Sequence, residues 1–171
     1  MKTYPKAMHT AEHILNQTMV RLFDCGRCFS AHIEKKKSKC DYHFDRPLDD
    51  AEVADIVEQV NHIIDGDLPV SEKWLPLSEA AVLFDLQRLP DESNEKIRII
   101  SVGDYDACPC IGDHVRSTGQ IGRFRITSTS FNNETLRVRF KLAAYKRFHN
   151  SALRTFFIIV PACFSSCVGS I

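Results

Sequence analysis

A chain of 171 residues, 44% of them hydrophobic and with no net charge, is sized for one compact domain with at most a small appendage. No apolar run reaches the length needed to cross a bilayer, and the opening Met1-Lys2-Thr3-Tyr4-Pro5 lacks the apolar stretch of a secretory signal. A membrane role is therefore excluded, a cytoplasmic location is expected, and the seven cysteines are expected to be thiols or metal ligands rather than a disulfide framework.

In chain order, residues 7 to about 24 read as a helix. Ala11, Ile14, Leu15, Thr18 and Leu22 form its apolar stripe, and Gly26 is the expected stop. Residues 28–34 and 38–45 read as two strands joined by the turn Lys35-Lys36-Lys37. Asp49 and Glu52 then fit a capping box for a second helix, whose buried face is Val53, Ile56, Val57, Val60 and Ile64. Asp65-Gly66 ends it. A short strand near 69–74, a short helix near 77–84 and the polar loop Pro90 to Asn94 follow. Lys96 to Val102 alternates as a strand. Strands at about 121–130 and 135–143 are joined by a turn at Asn132-Asn133-Glu134. Helices and strands do not alternate regularly, so the expected class is α+β, an antiparallel sheet layered with helices. Residues 148–171, with the apolar run Phe156 to Val160, fit either a last packed element or a tail.

The absence of net charge hides an asymmetry. Residues 1–100 hold 13 Lys and Arg against 18 Asp and Glu, a net of −5, whereas residues 101–171 hold 9 against 4, a net of +5. Arg116, Arg123, Arg125, Arg137, Arg139, Lys141, Lys146 and Arg147 make up most of the basic half, and Lys35, Lys36, Lys37 and Lys39 form a second cluster. Such clusters suit a phosphate backbone. They equally suit solvated turns and strand edges.

The chemistry concentrates in two short motifs. His9-Thr10-Ala11-Glu12-His13 puts two imidazoles one helical turn apart, the spacing at which both reach one tetrahedral ion. Cys110-Ile111-Gly112-Asp113-His114 supplies a thiolate and a third imidazole at the same interval. This donor set suits zinc better than magnesium or calcium, so His9, His13, Cys110 and His114 are the expected ligands of one zinc. Cys108 could replace Cys110, but only Cys110 keeps the four-residue interval to His114.

HTAEH, CIGDHV about a hundred residues later and then TGQIGRFRI together resemble the second additional domain of alanyl- and threonyl-tRNA synthetases. Val115, Thr118-Gly119, Ile121-Gly122 and Phe124 match as well as the ligands do, although Ile111 and Asp113 stand where many members have Gly and Thr. The strand pair 28–45 resembles the family's hairpin between the two ligand pairs. A free-standing chain of this length is similar to the short AlaX-type trans-editing proteins. The resemblance implies the editing-domain fold over residues 1–147 and zinc-dependent hydrolysis of a mischarged tRNA, chiefly serine on alanine tRNA. The implied partner is the tRNA acceptor end, with no DNA or membrane. It also implies a polar residue facing the substrate after the first helix, for which Ser30 and His32 are the nearest candidates. Both fit equally well as ordinary residues on one strand face.

Three other readings compete. HTAEH fits the HxxEH pattern of one class of zinc metallopeptidases, with Glu12 as base, although Glu12 reads more simply as a solvated helix residue. Cys25, Cys28, Cys40 and His43 follow C-x2-C-x11-C-x2-H and could bind a second zinc, or the cysteines could be small apolar fillers. A zinc-containing tRNA-binding module without hydrolysis would share every motif. Cys163 and Cys167 fall in no pattern.

Overall fold

The strongest local signal in the chain, the capping box at Asp49, becomes helix α2 (Asp50–Asp65). The Asp49 carboxylate accepts from the Glu52 N–H at 2.8 Å, and Glu52 accepts in return from the Asp49 N–H at 3.0 Å. Both bonds satisfy amides that a helix start leaves open. Ile56, Val60 and Ile64 on the predicted face are fully buried. This computed structural model describes residues 5–86 and 95–143. The loop Pro90 to Asn94, the run Phe156 to Val160, the basic residues Lys146 and Arg147, and Cys163 and Cys167 lie outside the described residues.

Helix α1 (Lys6–Phe23) precedes α2. The strands are β1 (Ser30–His32), β2 (Ser38–His43), β3 (Val70–Pro76), β4 (Lys96–Val102), β5 (Asp106–Pro109), β6 (Arg123–Asn132) and β7 (Thr135–Ala143), with a short helix α3 (Leu77–Leu83) after β3. Two antiparallel sheets form, in the orders β1-β2-β7-β6 and β3-β4-β5. The class is therefore α+β, as expected. One face of the four-stranded sheet carries Cys40, Tyr42, Leu136, Val138 and Phe140 against α1 and α2. The three-stranded sheet and α3 enclose a smaller core of Leu75, Ala80, Ile97 and Ile99. No helix among the described residues is long and apolar enough to cross a membrane.

Polar groups tie α2 to the sheet. Asn61, buried, donates to the Phe124 carbonyl and accepts from the Phe124 N–H, both at 3.0 Å. The TGQIG stretch has a structural task at α2's far end. The Thr118 hydroxyl donates to the Ile63 carbonyl at 2.8 Å and accepts from the Leu68 N–H at 2.9 Å. Gly122 has φ 87°, a left-handed conformation that a side chain disfavours.

Three details differ from the sequence expectations. Leu22 is 41% exposed, while its neighbour Phe23 makes the core contact of α1's last turn. Helix α1 stops at Asp24, itself left-handed at φ 51° with its N–H bonded to the Val20 carbonyl, so Gly26 is not the stop. Every residue of α1 from Met8 to Asn16 is buried, polar ones included, so the helix has no polar surface face there.

Candidate metal centre

The two motifs meet. His9 and His13 project from α1, and Cys110 and His114 follow β5. One donor atom from each lies within 4.8 Å of the others. The second pair is positioned from β4. Arg98 donates its carbonyl-facing N–H groups to Gly112 at 2.7 Å and Cys110 at 3.2 Å, and the Cys110 N–H bonds the Arg98 carbonyl at 3.1 Å. Three imidazoles and one thiol so gathered could hold a metal ion of the kind that accepts nitrogen and sulfur.

Each imidazole is fixed from behind. His9 Nδ1 lies 3.2 Å from the Asp113 carbonyl, which only accepts, so Nδ1 carries the hydrogen and Nε2 faces the cluster. The Thr10 hydroxyl gives its own hydrogen to the Lys6 carbonyl, and His114 Nδ1 lies 3.1 Å from its oxygen. His114 then donates too. His13 Nδ1 lies 3.4 Å from the Asp106 carboxylate, which is fully buried and held by Arg27 at 2.6 Å. Outer partners of this type set the tautomer and aim of a ligating histidine.

The titrating groups of the cluster act on one another. Burial pushes the Cys110 thiol up, but hydrogen bonds from His114, His13 and His9 outweigh it and hold its pKa at about 3. Burial pulls His13 down, yet Asp106, Cys108 and Cys110 together raise it well above its usual value. Burial keeps His114 below its usual value despite its bond to Cys110. Asp106 is the reverse case. Desolvation raises it, while His13 and Arg27 bring it below the ordinary carboxylate range.

A cavity of about 700 Å³ opens over the cluster, lined by His9, His13 and Cys110 on one side and Ala31 and Ile33 on another. A larger hollow of about 840 Å³, around Asp24 and Phe44, encloses none of the four. Ser30 and His32 alternate with Ala31 along β1 and stand on its other side. Both are exposed, and His32 pairs with Glu34 at 2.8 Å. Strand parity thus turns the two candidates away from the cavity wall that their neighbours form.

The remaining cysteines separate from this centre. Cys108 groups with His13 and Asp106, its sulfur 3.4 Å from His13 Nδ1. Cys28 and Cys40 meet, but with Glu12 rather than with Cys25 and His43. The Cys25 thiol bonds the Met19 carbonyl, and His43 stacks on Phe29 at 4.3 Å, so the C-x2-C-x11-C-x2-H set is not assembled. A hydrogen bond with Cys28 and then burial push the Cys40 thiol well up, which suits a neutral filler. Glu12 is buried, not solvated, and accepts from Asn16 Nδ2 and the Cys28 thiol. Sequence reasoning also missed Asp106, whose place became visible only with β5.

Comparison with known proteins assigns the chain. Residues 97–138, which include Cys110 and His114, match the family described as Threonyl and Alanyl tRNA synthetase second additional domain. The alanyl-tRNA editing protein AlaX-L of Pyrococcus horikoshii is 35% identical over 120 residues, 70% of this chain and 29% of that protein. An alanine--tRNA ligase of Treponema denticola is 28% identical over 132 residues, 77% of this chain and 22% of the ligase. Another, from Caldicellulosiruptor saccharolyticus, is 30% identical over 123 residues, 71% of this chain and 14% of the ligase. The chain spans less than a third of each relative's length. Residues 97–138 thus place a domain of the threonyl and alanyl tRNA synthetase second additional domain family in this chain, which is similar over 120 residues to an AlaX-L protein.

Proposed function

We propose that the chain hydrolyses the ester between a misattached amino acid and the 3′ ribose of a tRNA, with serine on alanine tRNA as substrate. A zinc ion held by His9, His13, Cys110 and His114 is its cofactor, residues 1–147 are the editing unit with residues 148–171 as an appendage, and the cytoplasm is its location. The observation that carries this reading is the four-donor cluster at the edge of a cavity in a chain related to an alanyl-tRNA editing protein. The donors fit zinc, since a thiol held at about 3 is a thiolate at neutral pH and His9 and His114 both turn Nε2 toward it. Zinc in such a centre supplies Lewis-acid polarisation of an ester carbonyl.

The chain's own residues do the rest. Asp106, Thr10 and the Asp113 carbonyl hold the imidazoles in one orientation. Ala31 and Ile33 give the cavity an apolar wall, and Asn16, Glu12 and Arg27 give it a polar one. A cavity that pairs a serine hydroxyl discriminates against alanine, because the missing hydroxyl leaves polar groups unpaired. No role in the hydrolytic centre is assigned to Ser30 or His32, and the peptidase reading loses its support in the family match and in the engagement of Glu12.

The test is deacylation of Ser-tRNA and Ala-tRNA, both made on alanine tRNA, with and without a chelator. Chelator-sensitive loss of serine with alanine spared is the expected result. Protein that holds one zinc and releases neither amino acid would overturn the hydrolase in favour of a binding module. Gly112 provides an independent check on the centre. A Cβ at this position would overlap the His9 ring, which the Asp113 carbonyl holds in place. Gly112→Ala should therefore lower zinc affinity about tenfold, the scale of a misaimed ligand, as measured by competition with a chromophoric chelator. Unchanged affinity would mean that His9 is free to move or is no ligand.

A further inference from the structure

The four-stranded sheet has a second face, turned away from α1 and α2. The cross-strand register shows what lies on it. His32 pairs with Lys39 and Lys39 with Arg139, which in turn opposes Ser128 on β6. One row along, Ser30 pairs with Asp41 and Asp41 with Arg137, opposite Ser130. On the other side Lys141 opposes Arg125. Directly opposed residues share a face, so the face is polar and basic across all four strands. Its carboxylate, Asp41, is taken by Arg137 at 2.6 and 2.7 Å. Lys39, Arg125, Arg139 and Lys141 form no ion pair among the described residues. The exposed turn Lys35-Lys36-Lys37 extends the band at the end of β1.

Cationic strand residues are common on edges, but here they run across the inner strands β2 and β7, where no edge needs protecting. Like charges on facing positions, Lys39 with Arg139 and Lys141 with Arg125, repel and destabilise a sheet. That arrangement is offset when a polyanion lies over it. Strand β1 borders both features, because its Ala31 lines the cavity while Ser30 and His32 begin the basic face.

We infer that this outer sheet face is the docking surface for the phosphate backbone of the tRNA, which crosses β1 to deliver its 3′ end to the cavity. Ser30 and His32 then serve as backbone contacts rather than as part of the hydrolytic centre. The inference rests on the reading of the cavity as an aminoacyl-tRNA site.

The experiment compares wild type with the triple variant Arg125→Gln, Arg139→Gln, Lys141→Gln, and with the control Lys73→Gln, Lys96→Gln on the three-stranded sheet. Binding of labelled uncharged alanine tRNA is followed across a salt series, with zinc content and thermal unfolding as checks of the fold. The triple variant should bind about tenfold more weakly at low salt, and the slope of log affinity against log salt should flatten by about 2 to 3, one phosphate contact per lost cation. The control should match wild type. If wild type binds and the triple variant, folded and zinc-loaded, binds equally with the same slope, the surface is overturned while the editing reading stands. If wild type binds no tRNA, the editing reading fails and takes the surface with it. A triple variant that does not fold is replaced by the single variants, whose slopes should each flatten by about 1.

Discussion

Cys110→Ala should leave a protein that no longer retains zinc through gel filtration and that deacylates Ser-tRNA at least about a thousandfold more slowly, the scale of several kcal/mol of lost Lewis-acid stabilisation. The size follows from geometry. Cys110 is the donor to which His9 Nε2 and His114 Nε2 both turn, at 3.5 and 3.4 Å. It is also the only anion among the four. Without it, three imidazoles close to one another lose the group that holds them together, and a dication loses its charge partner. His114→Ala should follow the same course with a smaller loss of zinc. Retained zinc and unchanged rate in Cys110→Ala would remove the centre from the reaction, whereas retained zinc with a lost rate would make it catalytic without being essential for binding.

Asp106→Asn should be the most damaging change outside the four donors. The carboxylate joins His13 to Arg27, with side-chain exposures of 1%, 3% and 27% for Asp106, His13 and Arg27. Removing one partner of a buried pair strands the other, at about 3–5 kcal/mol. The partial exposure of Arg27 brings the expected loss to about 2–3 kcal/mol in chemical denaturation. Zinc affinity should fall about 10- to 100-fold as His13 loses its orienting partner. The pH dependence has a definite sign. Desolvation opposes but does not prevent the net lowering of Asp106 by His13 and Arg27 below 3.8. A depressed carboxylate contributes its stability above the unfolded pKa and loses it as pH falls toward the folded one. The gap between wild type and Asp106→Asn should therefore be full at neutral pH and close below about pH 3.8. A gap that persists in acid would assign the loss to packing and not to charge.

Local chemistry was the legible part of this sequence. The capping box, the helical stripe of α2 and the two four-residue His and Cys/His intervals are set by neighbours in the chain, and the residues of each stand together. The turn of the β6–β7 hairpin is of the same kind, with Asn133 and Glu134 both at positive φ. What could not be read depends on partners distant in sequence. Strand β5 is only four residues long, too short for a period. Glu12 reads as solvated because nothing local shows Cys28 closing over it. For Ser30 and His32 the strand was foreseen, but its facing was not, since a shift of one residue exchanges the two faces of any strand.

The burial of α1 on all sides has a consequence for how this protein can change. An ordinary surface helix tolerates a slip of register, because its polar face absorbs the misfit. From Met8 to Asn16 there is no such face. Inserting or deleting one residue there would turn everything beyond it by about 100°, exchanging imidazoles for core residues at a stroke. The histidine pair and the core are thus written in one reading frame, and neither can drift without the other.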